Sequence, residues 1–293
     1  MAAATLKVRL DQTLELHVNN PVSLIATVFH RYGKERLDGA SAQSAHYGLL
    51  VLAPMLVLLV ALATRLPLSG MLEDLLENTD EALPASAYRV ISDQVQDIQR
   101  STQPHLLVLA AGVFCYAGTR LFNTMVRGLN VAFEVEENRS WLHTHGLALL
   151  MTVGAFLLLL IAEILLLAGP HVQNWLVRPD TPTPITFLLS AGTRWTIICL
   201  AILLSTSLIY WLAPNVSWGW SLVTPGSVVA LLGWILVSFG FQLYVDNLAR
   251  YNETYGALAG VIVLMLWLHF IGMILFLGAL VDCEVRKLRG QEH

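Results

Sequence analysis

Long apolar runs separated by short polar segments are the most regular feature of this chain. An apolar helix of about 18 or more residues is long enough to cross the ~30 Å hydrocarbon core of a bilayer. The clearest case is a hairpin in which the runs Val228–Tyr244 and Ala257–Val281 flank a polar link. The pattern predicts six spans, at 42–66, 104–126, 146–168, 187–212, 224–245 and 256–281. We therefore expect an all-α polytopic membrane helical bundle that forms a single membrane domain over residues 1–293.

The first predicted span is the least uniform of the six. Gln43, Ser44 and His46 occupy its early turns, and Pro54 lies inside it. Proline removes one helical hydrogen bond and clashes with the carbonyl group four residues back, here that of Leu50. We therefore expect a kink in this helix.

Two segments outside the spans also have helical periodicity. Before the first span, one stripe at helical spacing consists of Val22, Ile25, Val28, Phe29 and Tyr32. With the basic residues beside it, this stripe predicts an N-terminal helix lying in the membrane interface. Between the first two spans, residues 69–103 carry one-sided apolar patterns and predict a helical outer loop. Packing of this loop on the bundle and binding of a partner are both compatible with the pattern.

Composition supports a membrane protein and argues against several other classes. The chain has 293 residues, of which 56% are hydrophobic and 13% charged, whereas a soluble domain carries about 25% charged residues. The net charge is −4 and no Lys/Arg run points to nucleic acid. The three cysteines show no metal-ligand or disulfide spacing. The sequence predicts no metal, no cofactor and no cleaved signal peptide.

The distribution of lysine and arginine predicts the orientation. With six spans, both termini lie on the same side of the membrane. The segments on that side contain eleven lysine and arginine residues, and those on the other side contain five. Cytoplasmic loops carry the excess of basic residues. We therefore expect both termini in the cytoplasm and the 69–103 loop outside.

An ordered set of short motifs resembles a known family. These motifs are Ala42–Leu50 with Pro54, Thr119–Phe122, Arg127–Phe133, Glu136–Arg139, Leu212–Asn215, Thr224–Gly226, Tyr251–Gly260, Leu266–Leu268 and Leu277–Ala279. In order and spacing they resemble the YihY/BrkB family of bacterial inner-membrane proteins, once labelled ribonuclease BN. The resemblance covers about Asn20 to Glu284. It implies a six-helix protein of the cytoplasmic membrane in a family linked to virulence and to envelope-lipid transport, without a settled biochemical activity.

The chain departs from the family pattern at three places. Val216–Trp220 lacks the basic residues that are common there, and His269 stands where an aromatic residue is more usual. The segment Val281–Glu284 varies the usual Gly-Ala-Glu ending. A role that depends on these positions does not carry over from the family.

Charged residues inside spans are candidates for function because they are costly in lipid. Glu163 in span three and Arg194 in span four fall at similar depth, about 10–14 Å below the outer surface by the 1.5 Å rise per residue. We expect an intramembrane ion pair. A structural salt bridge and a role in a transport pathway are both open.

Arg120, Asn123 and Arg127 recur at helical spacing near the cytoplasmic end of span two. Such a face suits a phosphate or an anionic lipid headgroup, and Gln43 and His46 add polar groups on span one. Arginines that anchor the helix by extending to the interface give the same pattern.

His46 and His269 lie within predicted spans, and histidine is the side chain whose ordinary pKa is nearest to neutral pH. His46 falls near the inner interface and His269 near the midplane of the membrane. His269 is a candidate for proton relay, with a hydrogen bond between helices as the alternative.

The residues favour transport over catalysis. A hydrolase or nuclease needs clustered His, Asp and Glu side chains, and the pattern contains no such constellation, so we predict no enzyme. A transporter needs polar groups buried between spans, which the residues above provide. We expect a transporter or flippase-like protein for an amphipathic, anionic envelope substrate such as a lipid, with membrane lipids as partners. A non-transporting structural or assembly factor of the envelope is the alternative.

Overall fold

The computed structural model describes the backbone of residues 21–65, 104–176, 191–216, 218–247 and 257–289. Side-chain surroundings are described for 23–62, 105–161, 196, 198–216, 218–242 and 260–289. All regular structure in these ranges is helical, which confirms the predicted all-α class for them. The helices are α1 Pro21–Lys34, α2 Leu37–Arg65, α3 Pro104–Ala132, α4 Trp141–Leu176, α5 Ala191–Leu212, α6 Pro225–Asn247 and α7 Ala257–Leu288.

Each of the six predicted spans coincides with one helix, α2 to α7, and most of these helices extend beyond the predicted bounds. The α2 helix begins at Leu37 rather than at residue 42, because Leu37 is buried and its carbonyl accepts a hydrogen bond from Ser41. The α7 helix continues past residue 281 to Leu288, and the basic Arg286 and Lys287 in its last turn favour the negative end of the helix dipole. Hydropathy marks only the apolar part of such helices.

Five helices in the described part of the chain are long and apolar enough to cross a membrane. Their apolar ranges are Leu37–Leu62, His105–Ala132, Trp141–Ile161, Pro225–Gln242 and Gly260–Leu288. In α5 the described apolar part is Ile198–Leu212, which is shorter than the roughly 18 residues of a crossing. The sixth crossing therefore stays a prediction.

The chain divides into two compact units, and α2, α3, α4 and α5 each contribute to both. The first unit contains the described residues of 1–46, 123–141 and 199–293. The second contains those of 47–122 and 142–198. The prediction of a single membrane domain is not decided by this division.

The core of the first unit lies around the C-terminal half of α7. Phe276, Ala279 and Leu280 are fully buried there, and Tyr210 of α5 and Phe133 beyond α3 are almost fully buried. The rings of Phe133 and Tyr210 meet edge to face, with centroids 6.0 Å apart. This core fixes the ends of α3, α5 and α7 against one another.

The core of the second unit consists of Val51, Phe114 and Ala117, with Phe156 packed against Phe114 at a ring-centroid distance of 5.2 Å. A methyl group on Gly118 would lie 2.2 Å from Cγ2 of Thr152, so this glycine permits a close approach of α3 and α4.

The predicted N-terminal helix is present as α1, but some residues of its apolar stripe are buried and others are exposed. Val28 and Tyr32 are only 4% and 8% exposed, whereas Ile25 and Phe29 are 58% and 59% exposed. The outer loop 69–103 lies outside the described residues. The α2 helix runs through Pro54.

Candidate functional site

Arg31 of α1 is buried and is the centre of a charge cluster in the first unit. Its guanidinium forms ion pairs with Glu35 at 2.8 Å, Glu134 at 2.8 Å, and Glu284 of α7. It also donates to the carbonyl oxygen of Ala132, the last residue of α3, at 3.2 Å. One side chain thus connects α1 to the ends of α3 and α7.

Hydrogen bonds compensate the Arg31 guanidinium for its burial. Burial on its own lowers the pKa of Arg31, but hydrogen bonds to Glu35, Cys283 and Glu284 outweigh it, so the pKa lies above its ordinary value. The planar guanidinium suits several acceptors at once, which an ammonium group matches poorly. At this position arginine can therefore form a set of contacts that lysine could not form.

Glu134 combines an unusual backbone with two ion pairs. Its φ is 57°, in the left-handed region that favours glycine, at the residue where a Schellman motif ends α3. The side chain contacts Arg31, and it accepts a hydrogen bond from Lys287 at 2.6 Å. A non-glycine residue in this conformation costs roughly 1–2 kcal/mol. Because the Glu134 side chain is 48% exposed, its ion pairs offset only part of that cost.

Glu134, Cys283 and Glu284 place one ligand-type atom each within 4.8 Å of one another. Arg31 and Lys287 supply positive charge to the same carboxylates. Because two cationic side chains already balance these groups, the cluster is explained as an ion-pair network.

A second polar network joins the segment after α3 to the segment after α5. Arg139 contacts the carboxylate of Glu137 through two guanidinium nitrogens, each at 2.7 Å, and also donates to the carbonyl oxygen of Ala213. Asn130 donates to Glu137 at 2.8 Å and accepts a hydrogen bond from the backbone of Asn215 at 2.8 Å. The hydrogen bond from Arg139 lowers the pKa of Glu137, and Asn130 adds to this effect while burial opposes it. These motif residues thus hold two connecting segments together.

The Thr-Pro-Gly motif, Thr224–Gly226, forms the N-terminus of α6. The Thr224 hydroxyl accepts from the backbone N–H of Ser227, and the Ser227 hydroxyl accepts from that of Thr224, which is a reciprocal N-terminal cap. Pro225 occupies the first helical position, where its missing N–H is not needed. A methyl group on Gly226 would lie 2.2 Å from the carbonyl oxygen of Gly278, so only glycine allows α6 and α7 to approach this closely.

Asp282 and Arg286 line a small cavity beside this helix start. It has an empty volume of about 180 Å³ including its open mouth, and Tyr210, Trp218 and Thr224 also contribute to its wall. The backbone N–H of Gly226 donates to Asp282 at 3.3 Å, while the other carboxylate oxygen lies 3.9 Å from Arg286. Arg286 in turn lies over the ring of Trp218, 4.4 Å from its centroid. The enclosed part of the cavity has room for a group the size of one water molecule.

The predicted α3 residues have three different surroundings. Arg120 is exposed, 5.5 Å from the ring centroid of the exposed Tyr116. Asn123 is buried, and its Nδ2 has no hydrogen-bond partner among the described residues. Arg127 is exposed and donates to Gln43 of α2 at 3.4 Å and to Thr124 at 3.3 Å. The structure thus brings Arg127 and Gln43 together, and the position of Arg120 fits an interface anchor.

The other predicted site residues are distributed as follows. His46 is exposed on α2. His269 of α7 lies 3.2 Å from Asp38 at the start of α2, so it has the partner on another helix that the hydrogen-bond alternative expects. Glu163 and Arg194 lie within α4 and α5, and their side chains are outside the described residues. Their pairing stays a prediction.

Sequence reasoning did not identify Arg31, Glu134, Glu284 and Asp282 as a group. One signal was available: Asp282 and Glu284 are carboxylates directly after a long apolar run, and Arg31 interrupts an apolar stripe. That signal does not reveal their partners, because the partners are distant in sequence.

The described residues thus belong to a polytopic helical membrane protein with buried charges where its helices end. The chain is a member of the family described as Virulence factor BrkB, which it matches over residues 28–293. This confirms the resemblance seen in the motifs.

Relatives agree with this assignment. The Putative ribonuclease-like protein YfkH of Bacillus subtilis is 30% identical over 266 residues, covering 91% of this chain and 96% of that protein. The UPF0761 membrane protein VP0125 of Vibrio parahaemolyticus is 23% identical over 275 residues, covering 93% and 84%. The ribonuclease wording is a historical label and is not evidence for or against an activity of this chain. No solved structure matches the chain.

Proposed function

We propose that the protein is a transporter or flippase-like protein for an anionic, amphipathic envelope substrate such as a lipid. In this proposal it acts in the bacterial cytoplasmic membrane, with both termini in the cytoplasm. The α2–α3 pair forms part of the path along which the polar headgroup moves.

The proposal is supported by buried polar groups without hydrogen-bond partners on two candidate spans, α2 and α3, which contact each other through Gln43 and Arg127. Asn123 of α3 and Ser44 of α2 are both buried, and neither Asn123 Nδ2 nor Ser44 Oγ has a hydrogen-bond partner in the described part of the chain. A buried polar group without a partner costs about 1–3 kcal/mol. A second arrangement of the helices, or a bound headgroup, would supply the missing partners and explain why these residues are polar.

Arg127 provides the positive charge for this path. It contacts Gln43 and Thr124, so it stands at the α2–α3 contact with donors suited to a phosphate group. Arg120 belongs to the proposed site on sequence spacing alone, and its exposed position equally suits anchoring at the interface.

The test is reconstitution into liposomes with fluorescent phosphatidylglycerol, whose movement between leaflets is followed by chemical quenching of the outer leaflet. The wild-type protein should accelerate this movement. Arg127→Gln should slow it about tenfold or more, the effect of losing one hydrogen bond to a charged group. Arg127→Lys should recover part of the rate, and Asn123→Ala should also slow transport.

Arg120→Lys distinguishes a role of Arg120 in binding substrate from a role as an interface anchor. Lysine can replace an anchor, but it cannot form the two parallel hydrogen bonds that a guanidinium makes to a phosphate. Wild-type protein that is folded and inserted yet leaves the movement of lipid unchanged would reject transport and favour the structural or assembly role.

A further inference from the structure

We propose that the Ile25–Phe29 face of α1 lies in an anionic bilayer surface, at the boundary between headgroups and acyl chains. This inference does not depend on transport. It assigns a partner to the apolar surface that α1 leaves uncovered in the first unit.

The two faces of α1 have opposite surroundings. Val28, Arg31 and Tyr32 are buried against the first unit, while Ile25 and Phe29 are largely exposed. Ile25 and Phe29 are four residues apart, so their side chains are neighbours on one helix face. The ion pairs of Arg31 hold the helix in this rotation, so the exposed face is fixed relative to the unit on which it docks.

The contacts of α1 place it at the level where membrane-crossing helices end. Arg31 donates to Ala132, which is the last residue of the candidate span His105–Ala132. It also pairs with Glu284, close to the end of the candidate span Gly260–Leu288. Asp38 at the start of α2 instead contacts His269, fifteen residues before Glu284 on α7, so the contacts of Arg31 and not the start of α2 give the level of α1. Since the ends of crossing helices mark the membrane surface, α1 lies at that surface.

The charge of α1 favours anionic lipid. The helix contains no acidic residue, and Lys34 in its last turn is not among the residues that pair with the glutamates around Arg31. Lys34 and the following Arg36 are exposed. Basic residues beside an inserted apolar face attract anionic headgroups. A lipid surface therefore fits this face better than a soluble partner does.

Nitroxide labels on single cysteines test the proposal in the full-length protein, in phosphatidylglycerol-containing nanodiscs, after replacement of the three native cysteines. Labels at Ile25→Cys and Phe29→Cys should be more accessible to oxygen than to a water-soluble nickel chelate, at a depth of about 5–10 Å. Leu150→Cys, on the exposed side of a candidate span, is the lipid reference. Asn138→Cys, in the exposed segment after α3, is the aqueous reference.

Three kinds of result would overturn the proposal or part of it. Preferential access of the nickel chelate to the labels at positions 25 and 29 would place this face in water. Protection from both reagents, or close label-to-label distances between molecules, would show that protein covers it instead. In neutral phosphatidylcholine nanodiscs the labels should lie shallower, and an unchanged depth would remove the preference for anionic lipid. Folding of each variant is checked by an unchanged elution position.

Discussion

Arg31 and Glu284 are 253 positions apart in the sequence, yet they form a buried ion pair. Arg31 lies in the first described helix and Glu284 in the last. The pair therefore connects α1 to α7 within the first unit. Both side chains are nearly inaccessible to solvent. The strength of a charge pair in such a place depends on both partners being present.

Removing one partner of this pair should be strongly destabilising. Arg31→Gln leaves Lys287 as the cation of Glu134 and Glu284 and removes the partner of Glu35, and should cost about 2–3 kcal/mol, measured by thermal unfolding in detergent. Arg31→Lys should recover only part of this loss, because lysine cannot contact the same set of acceptors. Lys34→Gln on the same helix is exposed and serves as the control. If Arg31→Gln proved as stable as this control, the cluster would have no role in stability.

Gly226 should not tolerate a side chain. Gly226→Ala places a methyl group against the carbonyl oxygen of Gly278 and should destabilise the protein by about 1–3 kcal/mol through overpacking. Gly240→Ala on the same helix is the matched control, since no atom lies within 4 Å of its added carbon. It should be neutral or stabilising by up to about 1 kcal/mol. Equal stability of the two variants would contradict the close α6–α7 contact.

Glu137 should make stability depend on pH in the acid range. Its pKa is lowered in the folded state, so its contribution is complete above the unfolded pKa and is lost as pH falls through the folded pKa. The unfolding temperature of the wild type relative to Glu137→Gln should therefore fall as pH decreases below about 4.3, the ordinary value for glutamate. A difference that stays constant from pH 7 to pH 3 would show that Glu137 is not stabilised as a carboxylate.

The predicted orientation is tested by labelling from outside the cell. The balance of basic residues places residues 69–103 outside, so Ser86→Cys should react with a membrane-impermeant thiol reagent in intact cells. A cysteine introduced in place of His293 should react only after permeabilisation. The reverse pattern would invert the topology.

Glu163 and Arg194 are expected to pair, and a double-mutant cycle measures this. Glu163→Gln and Arg194→Gln should each lower stability by about 3–5 kcal/mol if the charges are buried together. The double change should cost less than the sum of the two single changes. Additive effects would mean that the residues do not interact.

The sequence by itself determined which of the described segments are helical and identified the five of them that are long enough to cross a membrane. This succeeds because apolar length and helical period are properties of a continuous segment. The order of the motifs likewise determined the family. The sequence did not locate the ends of α2 and α7, because helical hydrogen bonding continues into polar residues that hydropathy leaves out.

Only the tertiary structure decided which polar residues act together. Arg31, Glu134 and Glu284 are ordinary charged residues in the sequence, and their importance comes from their contacts with one another, with Arg31 and Glu284 buried. The apolar stripe of α1 gave no sign that Val28 faces the first unit while Phe29 is exposed, although they are adjacent. The physical reason is that the free energy of a charge or an apolar side chain depends on what surrounds it. Here helices distant in sequence provide those surroundings.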